Sequence, residues 1–222
     1  TLALTSRLLE AETGAERLRV AVGQRFYFQD QQVVLNESAR SAATSDVLLG
    51  VDGRLSDAWA VIGLGQYNLD SSQTERLNAG VRYTPAPGRV FNATYTYNRQ
   101  YFDPIGKQSQ LKQFDLSWQF PVNPNWTLLG RWNYSLVDSK TLEAVAGVEY
   151  NADCWALRLV GQRLTTTSQT TTNSVYLQIE LNGLARFGTS PLELLRRSVP
   201  GYQQTNDPTL SPRVRDDAFQ EY

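Results

Sequence analysis

The chain has no histidine and no methionine, and it has one cysteine in 222 residues. Without histidine it cannot build a Ser-His-Asp triad, and one thiol cannot found a Cys/His zinc site. The lone Cys154 also forms no disulfide within the chain. An excess of either charge is missing too, since 21 basic residues stand against 22 acidic ones. That balance argues against nucleic acid held by net positive charge and leaves only local patches open. No apolar run approaches the roughly eighteen residues that a membrane helix needs, and the mean hydropathy is -0.40. A helical membrane protein is excluded, but a β-barrel is not, because only alternate residues of its strands meet lipid. Neither a Walker loop nor a G-x-S-x-G elbow occurs, so enzyme activity has no support and no cofactor or metal is implied. There is no initiator methionine and no charged and apolar leader, which points to a processed or excised segment.

What is present is alternation. Trp126, Leu128, Trp132, Tyr134 and Leu136 share one strand face, with Thr127, Arg131, Asn133 and Ser135 on the other. The next strand repeats the rule: Leu142, Ala144, Ala146, Val148 and Tyr150 lie opposite Thr141, Glu143, Glu149 and Asn151. About eleven such strands are expected, near 1–10, 15–28, 46–55, 57–69, 74–84, 88–101, 110–120, 125–137, 141–151, 153–165 and 173–184. Tight connections alternate with generally longer ones at 29–45, 70–73, 102–109, 138–140 and 166–172. Outer-membrane barrels have short periplasmic turns and longer outer loops, so the tight set is assigned to the periplasm and Cys154 to the periplasmic rim. A strand such as Trp126 to Leu136, rising about 3.3 Å per residue and tilted by about 45°, covers about 25 Å of membrane.

The register is decided by energy. Turning Arg19, Arg76, Arg82, Arg131 or Arg158 toward the bilayer centre costs about 2–4 kcal/mol each. They are therefore expected to line a lumen together with Asp52, Asp115, Glu143, Glu149 and Glu180. In the last strand Val175, Leu177, Ile179 and Leu181 take the lipid side, and Tyr176, Gln178, Glu180 and Asn182 the interior. The odd strand count is awkward, because single-chain bacterial barrels close with even numbers. It implies a miscount or a larger barrel whose other strands lie elsewhere. The fold expected is thus all-β: an antiparallel transmembrane barrel of the outer membrane, with residues 1–185 giving part of a larger barrel. Residues 186–222 are expected to be a partly disordered periplasmic tail with one short helix, Ser190 being its N-cap and Pro191 its first residue. A passive porin, an outer-membrane hydrolase and a soluble β-sandwich lectin remain open on alternation alone.

The stretch RWNYSLVDSKTLEAVAGVEYNADCWALRLVGQR (131–163), with NSVYLQIELNGLARFG (173–188) and SVPGY (198–202), resembles the C-terminal half of the LptD family of lipopolysaccharide-assembly proteins. The resemblance implies a very large barrel with an N-terminal periplasmic jellyroll, plugged by an LptE-like lipoprotein and fed by an LptA-like periplasmic bridge through that N-terminal domain. Lipopolysaccharide would then enter the outer leaflet through a lateral gate between first and last strands, its sugar passing through the lumen. The strand carrying Tyr176, Gln178, Glu180 and Asn182 becomes one side of that gate. This chain would hold the last strand and lack the jellyroll and the first strand. The family often carries two adjacent cysteines here that pair with N-terminal ones. Asp153 replaces the first, so Cys154 alone is the disulfide candidate, with its partner outside this sequence.

Overall fold

The computed structural model describes residues 1–27, 44–102, 108–152, 154–165 and 170–206. Among them are β1 Leu2–Leu9, β2 Glu16–Gln24, β3 Val47–Arg54, β4 Trp59–Asn68, β5 Gln73–Ala86 and β6 Arg89–Phe102. The second half adds β7 Gln108–Pro121, β8 Trp126–Ser135, β9 Lys140–Asn151, β10 Trp155–Thr165, β11 Thr171–Leu181, β12 Ala185–Gly188 and one helix, α1 Leu192–Ser198. The strands form one sheet in chain order from β1 to β12. Such a meander needs only hairpin connections, which is why dyad-patterned strands split by Gly, Pro, Asn and Asp breaks adopt it. The loops expected at 29–45, 102–109 and 166–172 fall largely outside the described residues, as do Asp153 and residues 207–222.

The eleven expected strands are all formed, with ends displaced by a few residues. A twelfth was not expected. β12 is only four residues long and pairs with Gln178–Leu181 of β11, too short for alternation to reveal. It ends at Gly188, whose φ of 91° is left-handed and whose Cβ, if present, would lie 2.1 Å from the Leu177 carbonyl oxygen. The count among the described residues is therefore even, and β1 and β12 stand at the two ends of the order.

The chain separates into two compact units, Thr1–Ser56 with Ala60–Gly80 and Thr96–Leu111, and Asp57–Trp59 with Val81–Tyr95 and Lys112–Tyr222. In the first unit Leu4 lies opposite Val22 and Val20 opposite Val51 on one face, while Ala21, Gly50 and Leu64 align on the other. All eight residues of β1 are exposed.

In the second unit the faces separate more sharply. Leu177, Leu159, Val148 and Leu128 align across β11, β10, β9 and β8 on the apolar face, and Gln178, Arg158, Glu149 and Thr127 align beside them on the polar face. A bulge after Asn133 breaks strict parity, because Tyr134 then pairs with Thr141 and skips Leu142. Thr141, expected on the polar face, instead accepts a 3.1 Å hydrogen bond from the Trp132 indole. Alternation counted by eye cannot see such an inserted residue.

The core of this unit is not between two sheets. Leu129, Val145 and Val160, on the polar side, are covered by Leu194 and Leu195 of α1, with Tyr176 and Tyr202 at the edge. The LELL repeat places both leucines on one side of the short helix. Pro191, not Ser190, occupies the N-cap position, and no side chain caps the helix. Burial against the sheet supplies what capping does not.

Candidate functional site

The polar face of the second unit is built as cross-strand ladders. Antiparallel pairing sets directly opposed side chains about 5 Å apart, within reach of long polar groups. The first ladder runs from Asp115 on β7 through Arg131 on β8 to Glu143 on β9 and Gln162 on β10. Arg131 donates to Asp115 at 2.7 and 3.0 Å and to Glu143 at 2.7 Å. Asn133 donates to the same Asp115 oxygen at 2.7 Å, and Gln162 donates to Glu143 at 2.7 Å.

The second ladder centres on Arg158, whose side chain is fully buried. It donates to Glu149 at 3.1 Å, to Glu180 at 2.7 Å and to Gln178 at 3.1 Å. Its remaining nitrogen donates to Asn206. Arg186 of β12 donates to Glu180 at 2.8 Å. An unpaired buried charge costs several kcal/mol, so each of these carboxylates depends on a guanidinium.

The third ladder was missed in the sequence. Arg82 donates to Asn92 at 2.9 Å, and Asn92 donates to Ser117 at 3.1 Å and to the Pro200 carbonyl at 3.0 Å. Gln119 gives and takes bonds with the Gln203 backbone at 2.7 and 2.9 Å.

Residues 189–206 close this face. After β12 the chain turns back through α1 and lies on the ladders as a strap. The Tyr202 hydroxyl donates to Glu149, Asn151 donates to the Thr205 carbonyl at 2.8 Å, and Asn206 donates to Asn182 at 2.7 Å. Burial first, and then the Glu149 carboxylate, push the Tyr202 phenol well above its ordinary value, so it stays a donor. Within the tail expected to be partly disordered, Thr205 and Asn206 are both hydrogen-bonded. The signal available was SVPGY: Pro200-Gly201, with φ of 90° at Gly201, is a turn that aims the next residues back at the sheet.

Of the expected interior residues, Asp115, Arg131 and Glu143 are thus brought together, as are Glu149, Arg158 and Glu180. Arg82 stands in the third ladder. Arg76 and Arg19 lie in the first unit, Arg76 along a cavity of about 610 Å³ with Leu64 and Asn78, and Arg19 on Asp52 at 3.0 Å. Tyr176, Gln178 and Glu180 alternate on β11, with Gln178 and Glu180 buried, and Asn182 follows in the turn to β12. The opposite positions Val175, Leu177, Ile179 and Leu181 are exposed. Cys154 is an exposed thiol at the β9–β10 turn, whose carbonyl accepts from the Asn182 amide at 3.0 Å. No group of metal-binding side chains occurs among the described residues. The arrangement is one of fixed, paired charges, suited to a polar wall.

A family model described as LPS transport system D, LptD, matches residues 1–126. The chain belongs to the LptD family. It is 42% identical over 211 residues to the LPS-assembly protein LptD of Azoarcus sp. (strain BH72), covering 95% of this chain and 26% of that protein. Against the LPS-assembly protein LptD of Thiobacillus denitrificans the identity is 41% over 213 residues, covering 96% and 28%. Against that of Nitrosomonas eutropha it is 41% over 206 residues, covering 93% and 27%. The chain spans about a quarter of the length of these relatives. Its family is one of lipopolysaccharide-assembly components rather than enzymes, and its open antiparallel sheet is consistent with an outer-membrane β-barrel.

Proposed function

We propose that this chain forms the C-terminal part of the barrel of an outer-membrane translocon that inserts lipopolysaccharide into the outer leaflet through a barrel lumen and a lateral gate. The observation that carries this reading is the two-faced second unit. A fully buried Arg158–Glu149 pair on one side and exposed Val175, Leu177 and Ile179 on the other suit a hydrated lumen and a lipid boundary. The tight-turn end, with Cys154 and the return of the strap at Asn206, is assigned to the periplasm. Cys154 is the candidate for a disulfide to a cysteine outside this chain. In the full-length protein an LptE-like lipoprotein would plug the lumen and an LptA-like bridge would deliver lipopolysaccharide.

β12 covers Gln178–Leu181 of β11 and Thr189 bonds the Leu177 backbone, so the Thr171–Tyr176 part of β11 is the length offered to the first barrel strand. Within it Tyr176 and, next to it, Gln178 present polar groups toward the sugar path. Engineered disulfides between Asn173 or Val175 and the first strand test the gate. Export of lipopolysaccharide to the cell surface should stop and return on reduction, and export that continues under complete crosslinking rules the gate out.

A further inference from the structure

At the tight-turn end of the second unit, the apolar face carries a groove of about 410 Å³. Its walls are Tyr83 of β5, Arg89 and Phe91 of β6, Trp118 and Phe120 of β7 and Leu128 of β8. Trp118 lies flat across Gly130, where any Cβ would sit 2.2 Å from the indole, so the glycine is what gives the ring its place along the groove. The Arg89 guanidinium stands over the Phe120 ring, 5.4 Å from its centre.

The height of this groove is marked independently. Trp126 packs on Tyr150 at 4.7 Å, Tyr150 on Trp155 at 5.2 Å, and Trp59 on Tyr83 at 4.4 Å, all at the same ends of their strands. Aromatic belts of this kind sit at the headgroup level of a bilayer. A cation on the lipid face is costly in hydrocarbon but favourable at that level, where phosphates lie. A guanidinium has five N–H donors, so bonds it makes within the protein leave capacity for a two-pronged contact to a phosphate.

We propose that this groove holds one phospholipid of the adjacent leaflet, its phosphodiester on Arg89 and an acyl chain along Trp118 and Phe120. Charge complementarity selects that occupant: an apolar trough headed by a single cation at phosphate height matches a lipid and not a protein segment. The proposal rests on the lipid-facing assignment of this sheet face.

The test is native mass spectrometry of the full-length protein released from micelles containing phosphatidylglycerol or diacylglycerol with the same acyl chains. The wild-type protein should retain phosphatidylglycerol over diacylglycerol by about tenfold, the factor supplied by one charge-assisted hydrogen bond. Arg89→Gln, which leaves the apolar walls intact, should level the two lipids, and Arg89→Lys should keep part of the preference. Equal retention by wild type, an unchanged preference in Arg89→Gln, or retention of lipopolysaccharide in place of phosphatidylglycerol overturns the proposal. Quenching of tryptophan fluorescence by a bilayer-soluble quencher separates the two levels. A Trp118→Phe variant should lose part of the quenched signal. No loss overturns the lipid-facing assignment and the site with it, whereas loss of signal without lipid preference overturns the site alone.

Discussion

Arg19–Asp52 in the first unit and Arg158–Glu149 in the second are the same device, an arginine and a carboxylate on adjacent antiparallel strands, about 3 Å apart. Their surroundings differ completely. The side chains of the first pair are 46% and 48% exposed, while those of the second are both 0% exposed. An exposed pair is screened by water and contributes about 0–1 kcal/mol. A buried pair is balanced between attraction and desolvation, and removing one member leaves the other charge stranded at a cost of about 3–5 kcal/mol. Proximity in the sheet is thus the lesser factor. The strap over the second unit, with its Tyr202 and Asn206 bonds, is what turns a cross-strand pair into a structural necessity.

The largest effect should come from Arg158→Ala, which strands the buried Glu149, whereas Glu180 keeps Arg186. Urea unfolding in lipid vesicles should show a loss of about 3–5 kcal/mol, and the folded band should weaken on unheated gels. The paired replacement Arg158→Met with Glu149→Leu should recover much of that loss, because two apolar groups of similar volume need no partners. A double variant no better than Arg158→Ala would show that the buried charges are not the cause.

Next in size is Gly130→Ala. The new methyl meets the Trp118 indole, so the ring must leave its seat on β8. A loss of about 1–3 kcal/mol is expected, and Trp118→Leu in the same background should relieve it. Tyr202→Phe removes the donor to Glu149 and should weaken strap docking by about 1–3 kcal/mol, read as faster proteolysis after Gly188. Docking should also depend on pH. The phenol is held protonated in the folded protein, so its contribution is complete below the ordinary value of 10.0 and is lost as pH rises beyond it. Strap proteolysis that stays flat from pH 8 to 11 would contradict the buried Tyr202.

The smallest effect belongs to Arg19→Ala, at about 0–1 kcal/mol in the same unfolding measurement. A loss as large as that of Arg158→Ala would erase the contrast between the two units.

The same contrast explains what was legible in the sequence. Strands such as β8 to β11 could be read because each buries one face, and a period of two forces their side chains to opposite environments. Arginines toward the polar face followed from the cost of the alternative, but which carboxylate meets which arginine was not read, because that depends on the register between strands. β12 was hidden because four residues contain too few alternations. The bulge at Leu142 was hidden because one inserted residue changes parity without changing composition. The strap was read as a tail leaving the sheet because its polar residues look solvated in isolation. Only the buried partners Glu149, Arg158 and Gln119 show why Tyr202, Gln203 and Asn206 are polar. The Cys154 pairing and the gate depend on residues beyond this chain, and no pattern within it could supply them.

The central claim is that one face of this sheet meets lipid and the other a hydrated lumen. Single cysteines placed in turn at 174–177 and 179 of the full-length protein in vesicles, each carrying a spin label, test it most directly. Labels at Val175, Leu177 and Ile179 should respond to oxygen dissolved in the bilayer, and those at Ser174 and Tyr176 to a water-soluble nickel chelate, with a period of two. A reversed period, or equal response along the strand, would contradict the account.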